Sequence, residues 1–243
     1  MRKMSADEKD VRCEPVLGCI ADDVTGATDL AINLVQGGFR VVQFFAIPSA
    51  AELAEIDADA VVVGLKTRSV PPPEAVSATL QALDVLRDAG MKRFFFKYCS
   101  TFDSTAQGTI GPVAASLLDA LAIPQTILCP AFPRGGRTVY QGHLFVHGML
   151  LHESGMERHP LNPMTDANLK RWLEKQTDLT VGLLRYEDLA ESAESRLHDL
   201  EQEGVRLVIT DACDDAQLDV LANATTNMKL LTGGSGIARF LPE

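Results

Sequence analysis

Charged and hydroxyl side chains follow directly after several short apolar runs in the sequence. Asp22, Asp23 and Thr25 follow the first run, Arg68 follows the third, and Lys97 ends the fourth. Arg and Lys bind carboxylates, and Asp accepts hydrogen bonds from hydroxyl groups. This combination is typical of a binding site for a small, negatively charged and polyhydroxylated ligand.

Similar groups stand after later apolar runs. The further candidate ligands of the substrate are Asp103, Ser104, Thr105 and Arg137. The last run leads into Gly233, Gly234 and Ser235, whose backbone N–H groups are predicted to face a transferred group, as in a cofactor-binding loop. This loop lacks the Lys and the spacing of a Walker motif, so its glycines alone are a weak signal.

Eight apolar runs of five to eight residues are predicted to be strands, and five segments with helical spacing lie between them. The predicted strands are 16–21, 39–46, 60–65, 93–97, 125–129, 180–184, 206–210 and 228–232. The predicted helices are 27–36, 74–89, 112–121, 186–203 and 215–222. This alternation predicts an α/β, doubly wound fold with a mainly parallel sheet and helices on both faces. Ligands of such sheets bind beyond the carboxyl ends of the strands.

Two helix starts are predicted to offer free backbone N–H groups to an anion. They lie at residues 25–27 and at residues 111–112, with Pro112 as the first helical residue. Asp22 and Asp23 have an alternative interpretation as helix caps, and Thr25 and Thr105 as caps or turn formers. A metal-dependent phosphatase site built on Asp22 and Asp23 is disfavoured, because Asp-x-Asp spacing is absent.

Residues 130–163 interrupt the alternation of strands and helices. They are dense in Gly and Pro and contain four of the five histidines. A small hairpin insertion is predicted here, with arms 138–140 and 143–146 around Gln141 and Gly142. The histidine spacing does not match a tight metal site, so no metal ligands are predicted. Residues 1–14 are predicted to be a flexible leader and residues 15–243 a single domain.

Composition excludes several functional classes. The 243 residues carry 22 Lys+Arg and 33 Asp+Glu, for a formal net charge of −11, which disfavours nucleic-acid binding. No apolar run approaches the ~18–20 residues needed to cross a bilayer, and the N-terminus does not resemble a signal peptide. Five widely spaced cysteines favour reduced thiols in a cytoplasmic protein. Composition does not exclude that the chain forms a homo-oligomer.

Five separated segments carry a resemblance to a known family. They are IADDVTGATD at 20–29, KTRS at 66–69, FKYCSTFDSTAQGTIGPV at 96–113, CPAFPRGGRTVYQGHLFV at 129–146 and HPLNPMTDANL at 159–169. With these segments in this order, the chain from about residue 15 onward resembles the four-carbon acid sugar kinases, also called the DUF1537 or YgbK-like family. The segment 96–113 is most similar to the 3-oxo-tetronate kinase branch.

The resemblance implies an activity and a domain organisation. Family members phosphorylate the terminal hydroxyl of a four-carbon sugar acid, such as 3-oxo-tetronate, threonate or erythronate, with ATP and Mg²⁺. They combine an N-terminal acid-sugar-binding domain with a C-terminal nucleotide-binding domain, and this sequence resembles only the first. ATP and Mg²⁺ are therefore expected to bind through the missing domain, for which a separate nucleotide-binding chain is a candidate partner. The alternative is a non-catalytic sugar-acid-binding or regulatory module.

Roles for single residues follow from the motif match together with strand-end position. Arg68 and Lys97 are expected to bind the substrate carboxylate, and Arg137 to reach toward phosphate. Asp22, Asp23, Asp103 and Ser104 are expected to hold hydroxyl groups. One of these three aspartates is expected to act as the catalytic base that orients the attacking hydroxyl, and Asp23 and Asp103 are the favoured two. Thr109 and Gly135 stand where the family pattern has Asn, which leaves the identity of the substrate open.

Overall fold

The computed structural model describes residues 16–241, so the predicted leader at residues 1–14 lies outside the described residues. The strands are β1 (Leu17–Ala21), β2 (Val41–Phe44), β3 (Ala60–Gly64), β4 (Arg93–Lys97), β5 (Thr126–Cys129), β6 (Arg137–Tyr140), β7 (His143–Val146), β8 (Met149–Leu150), β9 (Val181–Leu184), β10 (Leu207–Thr210) and β11 (Leu230–Gly233). The α-helices are α1 (Val24–Gln36), α2 (Ala50–Ala54), α3 (Pro72–Asp88), α4 (Ile110–Leu121), α5 (Leu169–Leu173), α6 (Tyr186–Gln202) and α7 (Asp215–Ala224). Four short 3₁₀ helices are Pro133–Gly135, Leu151–Glu153, Met156–Arg158 and Ile237–Phe240.

Eight strands form one parallel sheet in the order β2-β3-β1-β4-β11-β5-β10-β9. Helices α1, α7 and α6 form one layer with the last 3₁₀ helix, and α3 packs on α4 in another. Because helices cover both faces, central strands such as β1 and β3 are buried along their whole length and do not alternate apolar with polar residues. The predicted α/β, doubly wound fold is confirmed.

The sheet reverses its winding direction beside β1. The chain places β3 and β2 on one side of β1 and then crosses to β4 on the other side. At such a switch point the connections leave in opposite directions and open a crevice at the carboxyl ends of the strands. Ala21 pairs with both Gly64 and Lys97, so the residues after β1, β3 and β4 emerge at the same level.

All eight predicted strands of the main sheet are present, most of them shortened at one end. The largest difference is at β2, predicted over 39–46, which is an edge strand that pairs only with β3 within the described part of the chain. Helices α2 and α5 were not predicted, since five residues are too few to show helical periodicity. Helix α4 begins at Ile110, so the expectation that Pro112 is the first helical residue was wrong.

The predicted hairpin insertion is confirmed as β6 and β7, which pair antiparallel around Gln141 and Gly142. Both turn residues have positive φ, 49° and 70°, as a type I′ turn requires. A third strand, β8, pairs with β7, so the insertion is a three-stranded sheet rather than a hairpin alone.

The described residues also bear on two expectations from composition. From residue 16 to residue 241, no helix is both long and apolar enough to span a bilayer. All four cysteines in this range, Cys19, Cys99, Cys129 and Cys213, are free thiols.

Candidate functional site

The carboxyl ends of β1 and β3 meet in an ion pair between Asp22 and Arg68. The Arg68 guanidinium donates from Nε to Oδ2 of Asp22 at 2.9 Å and from Nη2 to Oδ1 at 2.7 Å. The main chain fixes the same two segments, because the amides of Thr67 and Arg68 donate to the Asp22 carbonyl at 2.8 and 3.2 Å. Asp22 is only 2% exposed, so this bidentate pair is shielded from solvent.

Burial has an electrostatic consequence for Asp22. Loss of solvent raises the pKa of its carboxyl above the ordinary value, although the hydrogen bonds and charge of Arg68 and the charge of Lys97 act in the opposite direction. The ionised form of Asp22 therefore depends on its two cationic neighbours.

Asp23 caps the first helix and also contacts Arg68. Its Oδ1 accepts from the Gly26 amide at 3.0 Å and from Arg68 Nη2 at 2.5 Å. This cap starts α1 at Val24, three residues before the predicted start. Asp23 is 27% exposed at its side chain, so part of the carboxylate faces solvent.

Gly26 is the point at which the charged groups come closest to the helix. A Cβ atom there would collide with Asp23 Oδ1 and would lie 3.1 Å from Lys97 Nζ and 3.5 Å from Arg68 Nη2. Two cations and a carboxylate therefore surround one bare position in the first turn of α1. We call Asp22, Asp23, Arg68 and Lys97 the charge cluster.

Lys97 contributes a buried cation to the charge cluster. Its residue is 3% exposed, and Nζ donates to the Tyr98 carbonyl at 2.7 Å. A buried ammonium group needs partners for its charge. The carboxylate of Asp22 is one such partner, since the charge of Lys97 acts to lower the pKa of Asp22. The structure thus brings together four of the predicted site residues.

Asp103 is connected to Cys99 through the hydroxyl group of Thr101. Its Oδ1 accepts from the Thr101 hydroxyl at 2.6 Å, and the same hydroxyl lies 2.9 Å from the Cys99 thiol. Burial raises the pKa of Cys99, the charge of Asp103 adds to this rise, and the charge of Arg68 opposes it. The Cys99 thiol therefore lies within the electrostatic reach of both Asp103 and Arg68.

Ser104 and Thr105 point their polar groups at the protein. Gln176 Nε2 donates to the Ser104 hydroxyl at 2.7 Å and to the Thr105 carbonyl at 2.8 Å. Trp172 Nε1 donates to the Ser104 carbonyl at 2.9 Å, and the Thr105 hydroxyl accepts from the Gln107 amide at 3.2 Å. Gln176 and Trp172 were not predicted from the sequence, since a single Gln and a single Trp away from the expected strand ends do not indicate a functional site.

Thr25 and Arg137 lie at the margins of this arrangement. Thr25 is exposed in the first turn of α1. Arg137 begins β6, donates from Nη1 to the Gly135 carbonyl, and keeps a buried Nε without a partner among the described residues. The described bonds of Arg137 do not reach the charge cluster.

The glycine-rich loop after β11 is engaged in internal packing. The Gly234 amide donates to the Cys129 carbonyl at 2.9 Å, and the Ser235 hydroxyl donates to Asp29. A Cβ on Gly233 would collide with the Cys129 carbonyl oxygen, and one on Gly234 would lie 2.8 Å from that of Pro130. These glycines allow the end of β11 to approach the backbone that follows β5.

Most of the backbone N–H groups that were expected to be free at the two helix starts are bonded within the protein. The Gly26 amide is bonded to Asp23, and the Gly111 amide donates to Gln176 Oε1 at 3.0 Å. Pro112 has no N–H, so the expectation was wrong at residues 111–112. At residues 25–27 the Ala27 amide also donates, to the Asp23 carbonyl at 2.9 Å, whereas the Thr25 amide makes no hydrogen bond within residues 16–241, so a free N–H at Thr25 stays a prediction.

Comparison with known proteins places this arrangement in a family. The model of a family described as a sugar-binding N-terminal domain matches residues 17–241. The chain is 58% identical over 232 residues to a 3-oxo-tetronate kinase of Pseudomonas fluorescens, covering 94% of this chain and 54% of that protein. The chain thus spans about half the length of the curated relatives it matches.

Solved structures agree with the sequence match. A DUF1537 protein of Haemophilus influenzae shares the fold with a TM-score of 0.88 at 44% identity, over 92% of this chain and 55% of that one. A DUF1537 protein of Bordetella bronchiseptica, a domain-swapped dimer with bound citrate, has a TM-score of 0.74 at 26% identity, over 93% and 55%. The chain therefore belongs to the sugar-binding N-terminal domain family, within the DUF1537 proteins that include the four-carbon acid sugar kinases.

Proposed function

We propose that this chain binds the sugar acid in an ATP-dependent kinase that phosphorylates the terminal hydroxyl of a four-carbon acid sugar. The names of the kinase relatives point to 3-oxo-tetronate as the substrate. Threonate and erythronate are the related acids that the family resemblance implies. The observation that carries the proposal is the charge cluster at the β1–β4 switch point, with Asp103 and Arg68 both acting on the pKa of Cys99.

Arg68 and Lys97 supply the donors for the substrate carboxylate. Arg68 uses Nε and Nη2 on Asp22 and Asp23, while its Nη1 makes no hydrogen bond within residues 16–241. The Lys97 ammonium group carries three protons and gives one to the Tyr98 carbonyl. The citrate bound to the Bordetella relative is itself a carboxylate ligand, which supports the class of ligand.

Asp23 and Asp103 supply the acceptors for the sugar hydroxyls. Each uses Oδ1 in an internal hydrogen bond, and Oδ2 of each makes none within the described residues. Asp22, in contrast, has both oxygens bonded to Arg68, so we assign it to holding that guanidinium in place. Either Asp23 or Asp103 takes the proton from the attacking hydroxyl, and orientation of that hydroxyl is the main contribution that phosphoryl transfer needs here.

ATP and Mg²⁺ fit poorly on the described residues. Residues 16–241 contain no group of three or more His, Cys, Asp or Glu side chains that could hold a metal ion. In the loop at Gly233, Gly234 and Ser235, the Gly234 amide and the Ser235 hydroxyl are already bonded internally. ATP would supply the phosphoryl group, and we place it with Mg²⁺ on the part of the relatives that this chain does not span, or on a separate nucleotide-binding chain.

Calorimetric titration of this chain with threonate and erythronate tests the proposal. We expect saturable one-to-one binding of at least one acid, and a ligand at 100 times its Kd should add about 2.7 kcal/mol of apparent stability. Lys97→Met should weaken binding about 10–150-fold, the equivalent of losing a charged hydrogen bond of about 1.5–3 kcal/mol. Lys92→Met is the matched control, because Lys92 is exposed just before the other end of the same strand.

Two outcomes would contradict parts of the proposal. If threonate, erythronate and 3-oxo-tetronate all fail to bind, the charge cluster is not a sugar-acid site. Turnover of Mg-ATP by this chain alone would overturn the placement of the nucleotide outside the described residues. A sugar-acid-binding module without catalysis is the second candidate, and it predicts that no added nucleotide-binding chain produces turnover.

A further inference from the structure

The buried side chain of Gln176 connects the residues that follow Asp103 to the start of α4. Its Nε2 donates to the Ser104 hydroxyl at 2.7 Å and to the Thr105 carbonyl at 2.8 Å, and its Oε1 accepts from the Gly111 amide at 3.0 Å. The amide group of one side chain thus connects the residues after Asp103 to the first turn of α4. A buried amide with these partners is costly to remove, because each partner loses its hydrogen bond.

The surrounding backbone leaves space for this side chain. A Cβ on Gly111 would lie 2.8 Å from the Cβ of Gln176, and a Cβ on Gly108 would collide with the Ser104 hydroxyl oxygen. Trp172, one turn earlier in α5, adds a hydrogen bond from Nε1 to the Ser104 carbonyl at 2.9 Å. Segment 104–111 is therefore shaped around α5 and the residues that follow it.

The segment that precedes Ser104 needs such support. Phe102 is fully buried with φ of 55°, in the left-handed region that a bulky side chain rarely adopts. The Asp103 carboxylate has one hydrogen bond among the described residues, from the Thr101 hydroxyl. A backbone in an unfavourable conformation persists when its surroundings hold it, and the bonds from Gln176 begin at the residue next to Asp103.

We propose that Gln176 is a positioning residue that fixes Asp103 for the sugar-acid site, by holding Ser104 and Thr105 against the start of α4. The inference rests on the proposed function for its effect on binding. Its effect on the backbone does not depend on any ligand. Cys99 reports that effect, because its thiol lies 2.9 Å from the Thr101 hydroxyl, which donates to Asp103 directly before Ser104.

Gln176→Met tests the inference, because it keeps the length of the side chain and removes all three hydrogen bonds. We expect the affinity for the tighter of threonate and erythronate to fall about tenfold, and alkylation of Cys99 by iodoacetamide, followed by peptide mass, to become severalfold faster. In the Asp103→Asn background, Gln176→Met should change affinity less than twofold, because the carboxylate that it positions is already absent. The smaller loss in that background separates positioning from a general loss of stability.

Gln125→Met is the matched control. Gln125 is also buried and donates from Nε2 to the Val205 carbonyl at 3.0 Å, but it lies at the amino end of β5, away from the charge cluster. It should lower the melting temperature without changing affinity or Cys99 alkylation. If Gln176→Met does not fold, Gln176→Glu keeps the acceptor for the Gly111 amide, removes the donors and answers the same questions.

Two results would overturn the inference: an equal loss of affinity in both backgrounds, or unchanged Cys99 alkylation in a folded Gln176 variant. Failure of the parent chain to bind threonate, erythronate and 3-oxo-tetronate would instead refute the proposed function, and the alkylation rates would still decide the role of Gln176.

Discussion

Asp22 and Asp211 occupy equivalent places in the fold and have different partners. Each follows a buried parallel strand directly, and neither is more than 2% exposed. Asp22 is bonded to the guanidinium of Arg68. Asp211 accepts three backbone amides, from Gln141 at 2.7 Å, Gly142 at 2.8 Å and Tyr186 at 3.0 Å. The position after a parallel strand therefore identifies buried carboxylates in both cases. The type of donor distinguishes them: a guanidinium at the candidate site, and backbone amides at a carboxylate that holds the main chain in place.

Asp211 anchors the insertion, and the insertion in turn supports the site. The Gly142 carbonyl accepts from the Leu169 amide at 2.9 Å, at the start of α5. Helix α5 carries Trp172, which bonds to Ser104 next to Asp103. Asp211 is therefore linked through the insertion and α5 to Ser104 beside Asp103, whereas Asp22 is bonded to the cationic side chain of Arg68.

Arg68→Met should have the largest effect of the changes that test this comparison. It leaves the buried Asp22 carboxylate without its main partner, which costs about 3–5 kcal/mol of unfolding free energy. It also removes one of the two proposed donors for the sugar acid and disturbs the position of Asp22, so binding of threonate or erythronate should be lost. Urea unfolding at pH 8 and pH 5 checks the reason for the loss, which should be smaller at pH 5, where a buried unpaired carboxyl takes up a proton.

Arg134→Met is the control for Arg68→Met. Arg134 pairs with Asp215 at 2.6 Å on the surface, with half of its side chain exposed. Such pairs contribute about 0–1 kcal/mol, so stability and affinity should hardly change. Equal losses of stability and affinity in the two variants would mean that the pair of Asp22 and Arg68 contributes no more than a surface ion pair.

Asp211→Ala should reverse the pattern of Arg68→Met. Three buried amides would lose their acceptor, which should cost about 2–3 kcal/mol after water reaches some of them. Affinity for the sugar acid should fall less, since none of the described bonds of Asp211 is made to the charge cluster. Parallel unfolding and calorimetry measure both effects. A loss of affinity without a loss of stability would place Asp211 in the site and end the distinction.

The sequence contained the strand ends and the charged residues of the site, but not the contacts that sort them. Arg68 and Lys97 could be predicted because a cation at a buried strand end is unusual and parallel strands bring such ends together. Gln176 could not be predicted, since its role depends on where α5 packs. Gly233 and Gly234 were predicted as a cofactor loop, yet their lack of Cβ is explained by the close backbone of Cys129 and Pro130.

Gly26→Ala tests the charge cluster from the helix side. In a helix interior Ala is favoured over Gly by about 1 kcal/mol, so the helix itself should tolerate the change. The new Cβ would collide with Asp23 Oδ1 beside Lys97, and we expect affinity to fall at least tenfold in a calorimetric titration. Gly38→Ala is the converse control, because Gly38 has φ of 107° and open space around it. It should reduce stability alone.

Asp166 accepts hydrogen bonds both from a guanidinium group and from a backbone amide. Loss of its guanidinium partner should change stability least among these variants. Its carboxylate accepts from Arg171 Nε at 2.6 Å and Nη2 at 2.7 Å, and from the Asn168 amide at 2.9 Å. The hydrogen bonds of Arg171 lower the pKa of Asp166, and the Asn168 amide adds to this. A lowered folded pKa contributes stability above the unfolded value of about 3.9, and this contribution is lost as pH falls through the folded pKa.

Arg171→Met should therefore lower the urea midpoint slightly at pH 7, and the difference from the parent chain should shrink as pH falls below 4. The contribution of Asp22 to stability should change with pH in the opposite direction. Its pKa is raised, so the folded state holds a proton at a pH where the unfolded chain has released it, and the contribution of Asp22 is lost as pH rises. If the difference between the Arg171→Met variant and the parent chain stays constant as the pH is lowered, packing of the Arg171 side chain, and not its charge, supports Asp166. The charge of a guanidinium would then stabilise a carboxylate here only where the carboxylate is buried, as at Asp22.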